Sequence, residues 1–320
     1  MAETQHLQAV IDDHTQDMQG KIVAITGTTS GTGFVCAREL AKLGAKVVLL
    51  NRESERARSS LEELQRAVPA GHFDAITCDL QDFASVRDAA RTLRDRYGAL
   101  DVLCNNAGVM ALPERETQDG YDVQMQTNCL SHFLLTREVF DLLKASPDGR
   151  VVNHTSMARL GGPLEEKYFG KNSGALGGDG TEEENMSFGG PRWERYHQTK
   201  LANCAFTYGL KERIDERGLA VKTMIAHPGL ATTGLQGTTA AAGGMDAESP
   251  FMANAQTAED GATGIIRCCA DPAAQSGDFY GPERWSGFPG KLEPEALLTD
   301  PENIRIHWEG CEAAVGPFSV

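Results

Sequence analysis

The chain has 320 residues, of which 41% are hydrophobic and 23% are charged, and its formal net charge is −15. This length allows one large α/β domain or two smaller ones, and the acidic balance argues against nucleic acid and anionic membranes as partners. No apolar run approaches the roughly 20 residues that cross a bilayer, and the polar residues 1–20 lack the apolar centre of a secretory signal. We therefore expect a cytoplasmic protein without a membrane span, with a surface arm over residues 1–19.

The eight cysteines contain no CxxC pair, and most of them lie inside apolar segments. This distribution favours buried free thiols in a reducing compartment over disulfides or zinc ligands. The sequence therefore predicts no metal site.

The first pattern in chain order is a strand, a glycine turn and a helix. A β-branched run over 21–26 leads into Gly27-Thr-Thr-Ser-Gly31-Thr-Gly33, and apolar residues at helical spacing follow up to Gly44. Such a turn lets the backbone approach a pyrophosphate, and the start of the helix offers free N–H groups and the positive end of its dipole. An isolated glycine turn is more often an ordinary connecting turn, but the flanking strand and helix favour dinucleotide binding.

A second strand, 46–50, ends at Asn51-Arg52, the point that faces the adenosine ribose in dinucleotide-binding folds. An acidic residue there accepts hydrogen bonds from the 2′-OH, whereas an arginine attracts a 2′-phosphate. The pattern favours NADP(H) over NAD(H). Alternatively, Arg52 only ends the strand or pairs with Glu53 or Glu55.

Strands and helices keep alternating along the rest of the chain. The pattern predicts strands at 74–78, 101–104, 150–155, 219–226 and 277–280, and helices at 53–67, 82–97, 121–144, 196–217 and 257–270. Right-handed crossovers then give an α/β fold, a Rossmann-type doubly wound parallel sheet of about seven strands with helices on both faces, in a single domain. Ligands bind beyond the carboxyl ends of such strands, where Gly27, Arg52, Asp79 and Asn106 lie.

Three further residues carry candidate chemistry. Asn128 interrupts a helical pattern, and a mid-helix asparagine is either exposed or holds something specific. Tyr196 and Lys200 are four residues apart, so a helix places them on one face. The ammonium group should favour the ionised phenol and lower the pKa of Tyr196 toward the working pH. A solvated surface pair is the alternative interpretation.

The catalytic domain is predicted to span residues 20–285. Within it, the glycine-rich segment 160–192 is interpreted as a flap over the substrate, with a mobile surface insert as the alternative. The small-residue segment 230–256 is a second candidate lid, which would contact substrate. Residues 286–320 are expected to form an appendage with one short helix, 301–308.

Taken together, these residues resemble the short-chain dehydrogenase/reductase family of the compact single-domain type. The resemblance covers about residues 20–285 and is greatest for the group that includes retinol dehydrogenases and protochlorophyllide reductase. The matching pieces occur in the family's order: Thr26-Gly27-x-x-x-Gly31-x-Gly33, Asp79-Leu80, Asn105-Asn-Ala-Gly108, Asn128, Ser156, Tyr196-x-x-x-Lys200 and Pro228-Gly229.

The resemblance implies a role for each matching position. Tyr196 would donate or accept the proton, Ser156 would hydrogen-bond the substrate oxygen, and Lys200 would bind the nicotinamide ribose. Asn128 would hold a water in a proton relay. The remaining cofactor contacts would be Thr29, Ser30 and Thr32 at the phosphates, Asp79 and Leu80 at the adenine, Asn106 at its ribose, and Ala231 and Thr233 at the carboxamide.

Two departures from the family pattern stand out. The gap from Ser156 to Tyr196 is 40 positions, which is unusually long, and Thr32 replaces a common isoleucine. The long insert could block the face through which family members often dimerise, so we expect a monomer or an atypical homodimer.

The function that follows is reversible hydride transfer between NADP(H) and a carbonyl or alcohol carbon of an apolar small molecule. Two alternatives stay open: a C=C reductase resembling protochlorophyllide reductase, and a non-catalytic regulator that senses NADP(H).

Overall fold

The computed structural model describes residues 3–171, 174–246 and 249–320, apart from the side chains of Pro250 and Phe251. The strands are β1 (Ile22–Thr26), β2 (Lys46–Asn51), β3 (His72–Thr77), β4 (Val102–Asn105), β5 (Arg150–His154), β6 (Lys222–Ala226), β7 (Phe279–Gly281) and β8 (Gly290–Leu292). They form one sheet in the order β3-β2-β1-β4-β5-β6-β7-β8. β1 to β7 are parallel, and β8 is antiparallel to β7.

The predicted Rossmann-type sheet is therefore confirmed, with one strand more than expected. The extra strand, β8, comes from the segment interpreted as an appendage, which thus completes the edge of the sheet. All residues of the inner strands β4 and β5 are buried, as expected for a parallel sheet covered on both faces, whereas the edge strand β3 is partly exposed.

Helices cover both faces of the sheet. They are α1 (Leu7–His14), α2 (Gly31–Lys42), α3 (Glu55–Ala67), α4 (Phe83–Arg96), α5 (Val123–Met125), α6 (Ser131–Lys144), α7 (Glu182–Met186), α8 (Gly190–Glu216), α9 (Gly234–Ala241), α10 (Ala258–Ala270) and α11 (Pro301–Val315). Short 3-10 turns occur at Met157–Leu160, Glu166–Phe169, Pro250–Asn254 and Ala296–Leu298. No helix among the described residues is both long enough and apolar enough to cross a membrane.

The first described residues are anchored to the domain. Val10 on α1 is fully buried and joins the core that lies between the sheet and α10. The carboxylate of Asp260 on α10 accepts backbone N–H groups from Gln5, His6 and Leu7 at 2.8–3.2 Å. Val10 and Met18 are buried, whereas the other described residues up to 19 are exposed or partly exposed. The segment predicted as a surface arm therefore lies on the surface but is fixed to the domain at these points.

Two predicted helices have different bounds. α8 begins at Gly190, six residues before Tyr196. Gly190 has a φ of +75°, which favours glycine, and Pro191 supplies the fixed φ that suits the first turn of a helix. The predicted helix 121–144 is interrupted by a π-helical turn, Gln126–Leu130, between α5 and α6. Such bulges often occur at functional sites, and this one carries Asn128.

The carboxyl-terminal segment packs into the core. α11 extends to Val315, well beyond the predicted end at Trp308. The Trp308 ring lies 5.1 Å from Phe133 and 5.6 Å from Phe318, measured between ring centroids, and Arg213 on α8 stacks on Trp308 at 3.6 Å. α11 therefore covers α8 and the π-helical turn, which makes it part of the domain's packing.

Candidate functional site

A cleft of about 690 Å³ opens at the carboxyl ends of the parallel strands. It runs from the glycine turn after β1 to the start of α9. Of the predicted site residues, only Gly33 and Asn128 do not line it. Those that do are Gly27, Thr29, Ser30, Gly31, Thr32, Arg52, Asp79, Leu80, Asn106, Ser156, Tyr196, Lys200, Ala231 and Thr233.

The glycine turn has no room for side chains. Gly27 has a φ of +73°, and a Cβ there would lie 2.7 Å from the Cβ of Ala107. A Cβ on Gly33 would lie 2.3 Å from both the Asn106 amide nitrogen and the Gly27 carbonyl oxygen. The backbone therefore passes close to the end of β4 and leaves the first turn of α2 open toward the cleft, as a pyrophosphate would require.

Asn106 holds this turn in place. Its side-chain nitrogen donates to the carbonyls of Thr26 and Gly27 at 2.9 and 3.1 Å, and its oxygen accepts from Thr32 at 3.0 Å. A ring nitrogen of His154 lies 3.0 Å from the same oxygen. The predicted contact of Asn106 with the adenosine ribose would thus fall to its backbone carbonyl, because the side chain and the backbone N–H already have protein partners.

Two arginines face the far end of the cleft. Arg52 makes no ion pair among the described residues, because Glu53 and Glu55 both pair with Arg58 instead. Arg56 donates to the Ser30 hydroxyl and also lines the cleft. Sequence reasoning missed Arg56, although a second arginine four positions after Arg52 was visible as a possible signal.

Tyr196 and Ser156 meet inside the cleft. Tyr196 is 3% exposed. The Ser156 hydroxyl hydrogen-bonds to its phenol oxygen, and this hydrogen bond lowers the pKa of the phenol. The amine of Lys200 lies 5.6 Å from the centre of the Tyr196 ring and donates to the carbonyl of His154 at 3.4 Å. The structure thus brings the three predicted groups together.

The predicted fall in the pKa of Tyr196 is wrong for this structure. Burial raises the pKa of the phenol to about 12, and the Ser156 hydroxyl opposes that rise only in part. Burial also lowers the pKa of the Lys200 amine to about 8. Both side chains are removed from water, so the cost of desolvating each charge exceeds what the pair supplies.

Asn128 is neither exposed nor in contact with the cleft. Its side chain accepts from the Val109 N–H at 2.8 Å and donates to the Val109 carbonyl at 2.8 Å and the Thr199 hydroxyl at 3.0 Å. It therefore ties the segment after β4 to the helix of Tyr196. The relay role remains a prediction.

An apolar chamber adjoins the phenol of Tyr196. The Trp193 ring lies 5.8 Å from the Tyr196 ring, and Phe188 lies 5.0 Å from Trp193 on the other side. The side chains packed together here are Met110, Ala111, Trp193, Tyr196 and Met245, with Ala158, Phe188, Leu235, Ala240 and Met252 at the margin.

Hydrogen bonds hold the segment around α9 against the start of α8 and against the segment after β4. Trp193 donates its indole N–H to the carbonyl of Gly244 at 2.9 Å, and Arg192 donates to that of Ala242 at 2.6 Å. Thr239 donates to the carbonyl of Met110 at 2.8 Å. The 230–256 segment therefore forms one wall of the chamber, although its residues 247–248 lie outside the described part of the chain.

The 160–192 segment divides between two locations. Tyr168 and Phe169 are buried in the main core, where Phe169 contacts His307 of α11. Phe188 alone among the aromatic residues of this segment lines the cleft. Residues 172–173 of the predicted flap lie outside the described residues.

Sequence reasoning also missed His154 and Trp285. The side chain of His154 lines the cleft from the end of β5, two positions before Ser156. Trp285, which is 49% exposed, reaches the cleft from the segment after β7. His154 could have been identified from its position near the end of a predicted strand, whereas nothing in the sequence placed Trp285 at the cleft.

The sheet order and the glycine turn place the molecule among Rossmann-type nucleotide-binding proteins. The model of the short chain dehydrogenase family matches residues 21–168. Over 216 residues the chain is 33% identical to retinol dehydrogenase 13 from Homo sapiens, a match covering 68% of this chain and 60% of the relative. It is 32% identical to retinol dehydrogenase 14 from Mus musculus over 93% of this chain and 87% of that protein. The chain belongs to the short-chain dehydrogenase/reductase family of oxidoreductases.

Solved structures share the fold. An uncharacterized protein from Mycobacterium paratuberculosis superimposes with a TM-score of 0.73 at 27% identity, with all of both chains covered. A protein from Escherichia coli CFT073, described as a short chain dehydrogenase complexed with NADPH, has a TM-score of 0.58 at 22% identity, over 80% of this chain and 93% of that one. The chain spans about three fifths of the length of several curated relatives, the human protein among them.

Proposed function

We propose that the protein is an NADP(H)-dependent oxidoreductase that transfers hydride between the nicotinamide and a carbonyl or alcohol carbon of an apolar small molecule. One observation carries the proposal: the buried phenol of Tyr196 meets the Ser156 hydroxyl and the Lys200 amine within a cleft that begins at a glycine turn. Family membership supports the reaction class.

The residues at the far end of the cleft fit a dinucleotide with a 2′-phosphate. The turn has no room for a Cβ at Gly27 or Gly33, so its backbone is left accessible to a pyrophosphate. The exposed side chains of Arg52 and Arg56 line the same cleft and supply positive charge. The E. coli neighbour described as bound to NADPH supports the same choice. Arg52, Asp79, Leu80, Ala231 and Thr233 would hold the adenosine and carboxamide ends.

The bound cofactor supplies or accepts the hydride. Ser156 and Tyr196 would hold the substrate oxygen, and Tyr196 would give a proton to it during reduction and take one from it during oxidation. With a pKa near 12 the phenol is protonated at neutral pH and ready to donate. Lys200 would bind the nicotinamide ribose, and its positive charge, together with Ser156, would stabilise phenolate when the proton leaves.

The chamber beside Tyr196 supports an apolar substrate. Trp193, Met245 and Met252 offer no charge to bind an ionic group, and the wall is formed by rings and thioethers. Several relatives are named retinol dehydrogenases, which is consistent with an apolar alcohol of considerable size.

Replacing Tyr196 tests the mechanism. In Tyr196→Phe we expect turnover of ketones, aldehydes and alcohols to fall by about 10²–10⁴-fold, because the general acid is lost. The Kd for NADPH, measured by fluorescence titration, should stay within about twofold of wild type, since the ring remains.

Tyr208→Phe is the matched control. It removes the same oxygen from the same helix, from a buried hydroxyl with no hydrogen-bond partner among the described residues. Near-normal turnover in Tyr196→Phe would remove this residue from the mechanism. A wild type that binds NADPH but turns over no member of the panel would favour the sensor, and light-dependent reduction of a tetrapyrrole would favour the C=C reductase.

The packing of α11 on α8 also supports a monomer or an atypical homodimer. In the family the helices of Asn128 and Tyr196 often pair across an interface, and here α11 contacts both elements. Light scattering that shows a stable tetramer would contradict this proposal. A cytoplasmic location stays a prediction.

A further inference from the structure

Two cysteines and a histidine from distant parts of the sequence lie together in the core. Cys129 belongs to the π-helical turn, and His307 and Cys311 lie four residues apart on one face of α11. All three are at most 2% exposed. Their thiol and imidazole atoms lie within 4.8 Å of one another.

The distances match those between ligands of one thiophilic cation. The sulfur atoms of Cys129 and Cys311 are 3.9 Å apart, and the Cys311 sulfur is 3.4 Å from Nε2 of His307. With Zn–S bonds of about 2.3 Å and Zn–N bonds of about 2.0–2.1 Å, tetrahedral geometry gives ligand separations of about 3.8 and about 3.5 Å. The two separations that involve the Cys311 sulfur thus match those of a metal site, and the third, between Cys129 and His307, is at most 4.8 Å.

The surroundings select the kind of ion. The His307 ring stacks on Phe206 at 5.4 Å, and Phe133 and Phe169 pack at its edges. No carboxylate belongs to the cluster among the described residues, so oxygen-seeking Mg²⁺ and Ca²⁺ lack their preferred ligands. Thiolate and imidazole ligands instead suit Zn²⁺ and Cu⁺, and deprotonated thiols would offset the charge of either ion.

We propose that Cys129, His307 and Cys311 form a buried binding site for one thiophilic cation, Zn²⁺ or Cu⁺. The ion fastens α11 to the π-helical turn, one residue from Asn128, and so ties the carboxyl-terminal segment to the Tyr196 region. The spacing of the cysteines in sequence gave no sign of this site, because two ligands lie more than 170 residues after the first.

Because the site is buried, the ion must enter as the chain folds. The test is therefore expression of the full chain in media supplemented with zinc or, separately, copper, followed by anaerobic purification and elemental analysis. We expect about one equivalent of metal per chain from at least one medium. X-ray absorption at the edge of that metal should show two sulfur ligands and one nitrogen ligand, a result that needs no variant.

Three variants locate the ion. Cys311→Ser should lower bound metal at least about tenfold, since one thiolate is lost. Cys268→Ser alters a buried thiol that donates to the Ile225 carbonyl and belongs to neither cluster among the described residues. Cys269→Ser alters the separate group of Cys36, Cys104 and Cys269. Both variants should keep the metal. Circular dichroism verifies that each variant is folded.

Three results would overturn the proposal. The first is wild type without metal from either medium. The second is metal that survives Cys311→Ser but is lost in Cys269→Ser, because the ion then occupies the other thiol group. The third is a Cys129–Cys311 disulfide detected by mass spectrometry in anaerobically purified protein.

Discussion

The two halves of the cleft are built in different ways. In the glycine-turn half, the chain between Gly27 and Gly33 is held by backbone contacts and by the Asn106 side chain. In the Trp193 half, side chains from distant segments form an apolar wall, fixed by hydrogen bonds to loop carbonyls. The shape of the first half depends on the backbone and suits any nicotinamide dinucleotide. The shape of the second half depends on individual side chains, so single substitutions can change it.

The comparison has a functional consequence. Substitutions in the glycine-turn half should weaken cofactor binding for every substrate. Substitutions in the Trp193 half should instead alter the choice of substrate and leave the cofactor affinity intact. Tyr196 and Lys200 lie at the junction and should affect turnover regardless of substrate.

Among the tests of this comparison, the largest expected effect concerns the burial of Lys200 at the junction. Its pKa is about 8 in the folded protein, below its ordinary 10.5, so between these pH values the unfolded chain binds a proton that the folded chain lacks. The free energy of unfolding should therefore rise with pH across this window. Relative to Lys200→Met, the rise should be on the order of 3 kcal/mol, measured by urea unfolding from pH 7.5 to 11.

Lys211→Met serves as the control for that experiment. It removes a partly exposed lysine on the same helix, which pairs with Asp215, and should leave the pH dependence of the wild type in place. Parallel curves for wild type and Lys200→Met would show that Lys200 is not desolvated in the folded protein.

A methyl group at Gly33 tests the glycine-turn half. Its Cβ would lie 2.3 Å from the Asn106 side chain and from the Gly27 carbonyl, so the turn must shift. We expect Gly33→Ala to raise the Kd for NADPH roughly ten- to a hundredfold, given overpacking costs of about 1–3 kcal/mol. Gly98→Ala, at an exposed site with no atom near the added methyl, should bind NADPH normally. An unchanged Kd in Gly33→Ala would mean that the tight turn is unimportant for binding.

Removing the Trp193 ring tests the other half. For a bulky apolar ketone or alcohol, Trp193→Ala should lower kcat/KM by about tenfold or more, because contacts worth about 1–3 kcal/mol are lost. The Kd for NADPH and kcat/KM for a small ketone should change little. Trp193→Phe keeps an aromatic ring but loses the hydrogen bond to the Gly244 carbonyl. Comparing the two variants therefore distinguishes the effect of ring packing on the substrate from the effect of holding the 230–256 segment in place. An equal loss for large and small substrates would contradict the proposed division of the cleft.

The smallest expected effect concerns the choice between cofactors. Arg52→Ser should raise the Kd for NADPH by about tenfold and leave that for NADH unchanged, because only the 2′-phosphate loses a partner. Arg58→Ser, which removes a neighbouring arginine already paired with Glu53 and Glu55, should leave both Kd values unchanged. If Arg52→Ser weakens NADH equally, Arg52 does not recognise the 2′-phosphate.

The sequence by itself determined the alternation of parallel strands and helices and the rim of the cleft. Alternating strands and helices allow few arrangements, because crossovers between parallel strands are right-handed and ligands bind beyond the carboxyl ends. Residues at strand ends, such as Arg52, Asp79 and Ser156, could therefore be placed at this rim from the sequence alone. Local spacing was equally sufficient for Tyr196 and Lys200, which a single helix holds together.

Only the tertiary structure decided what depends on contacts between distant segments. The anchored start at Val10, the edge strand β8 and the packing of α11 depend on which other elements of the fold lie beside them. The same holds for the pKa of Tyr196, which burial raises although the neighbouring lysine suggested a fall. Sequence spacing reports which groups share a face, but desolvation depends on everything that the rest of the chain places around them.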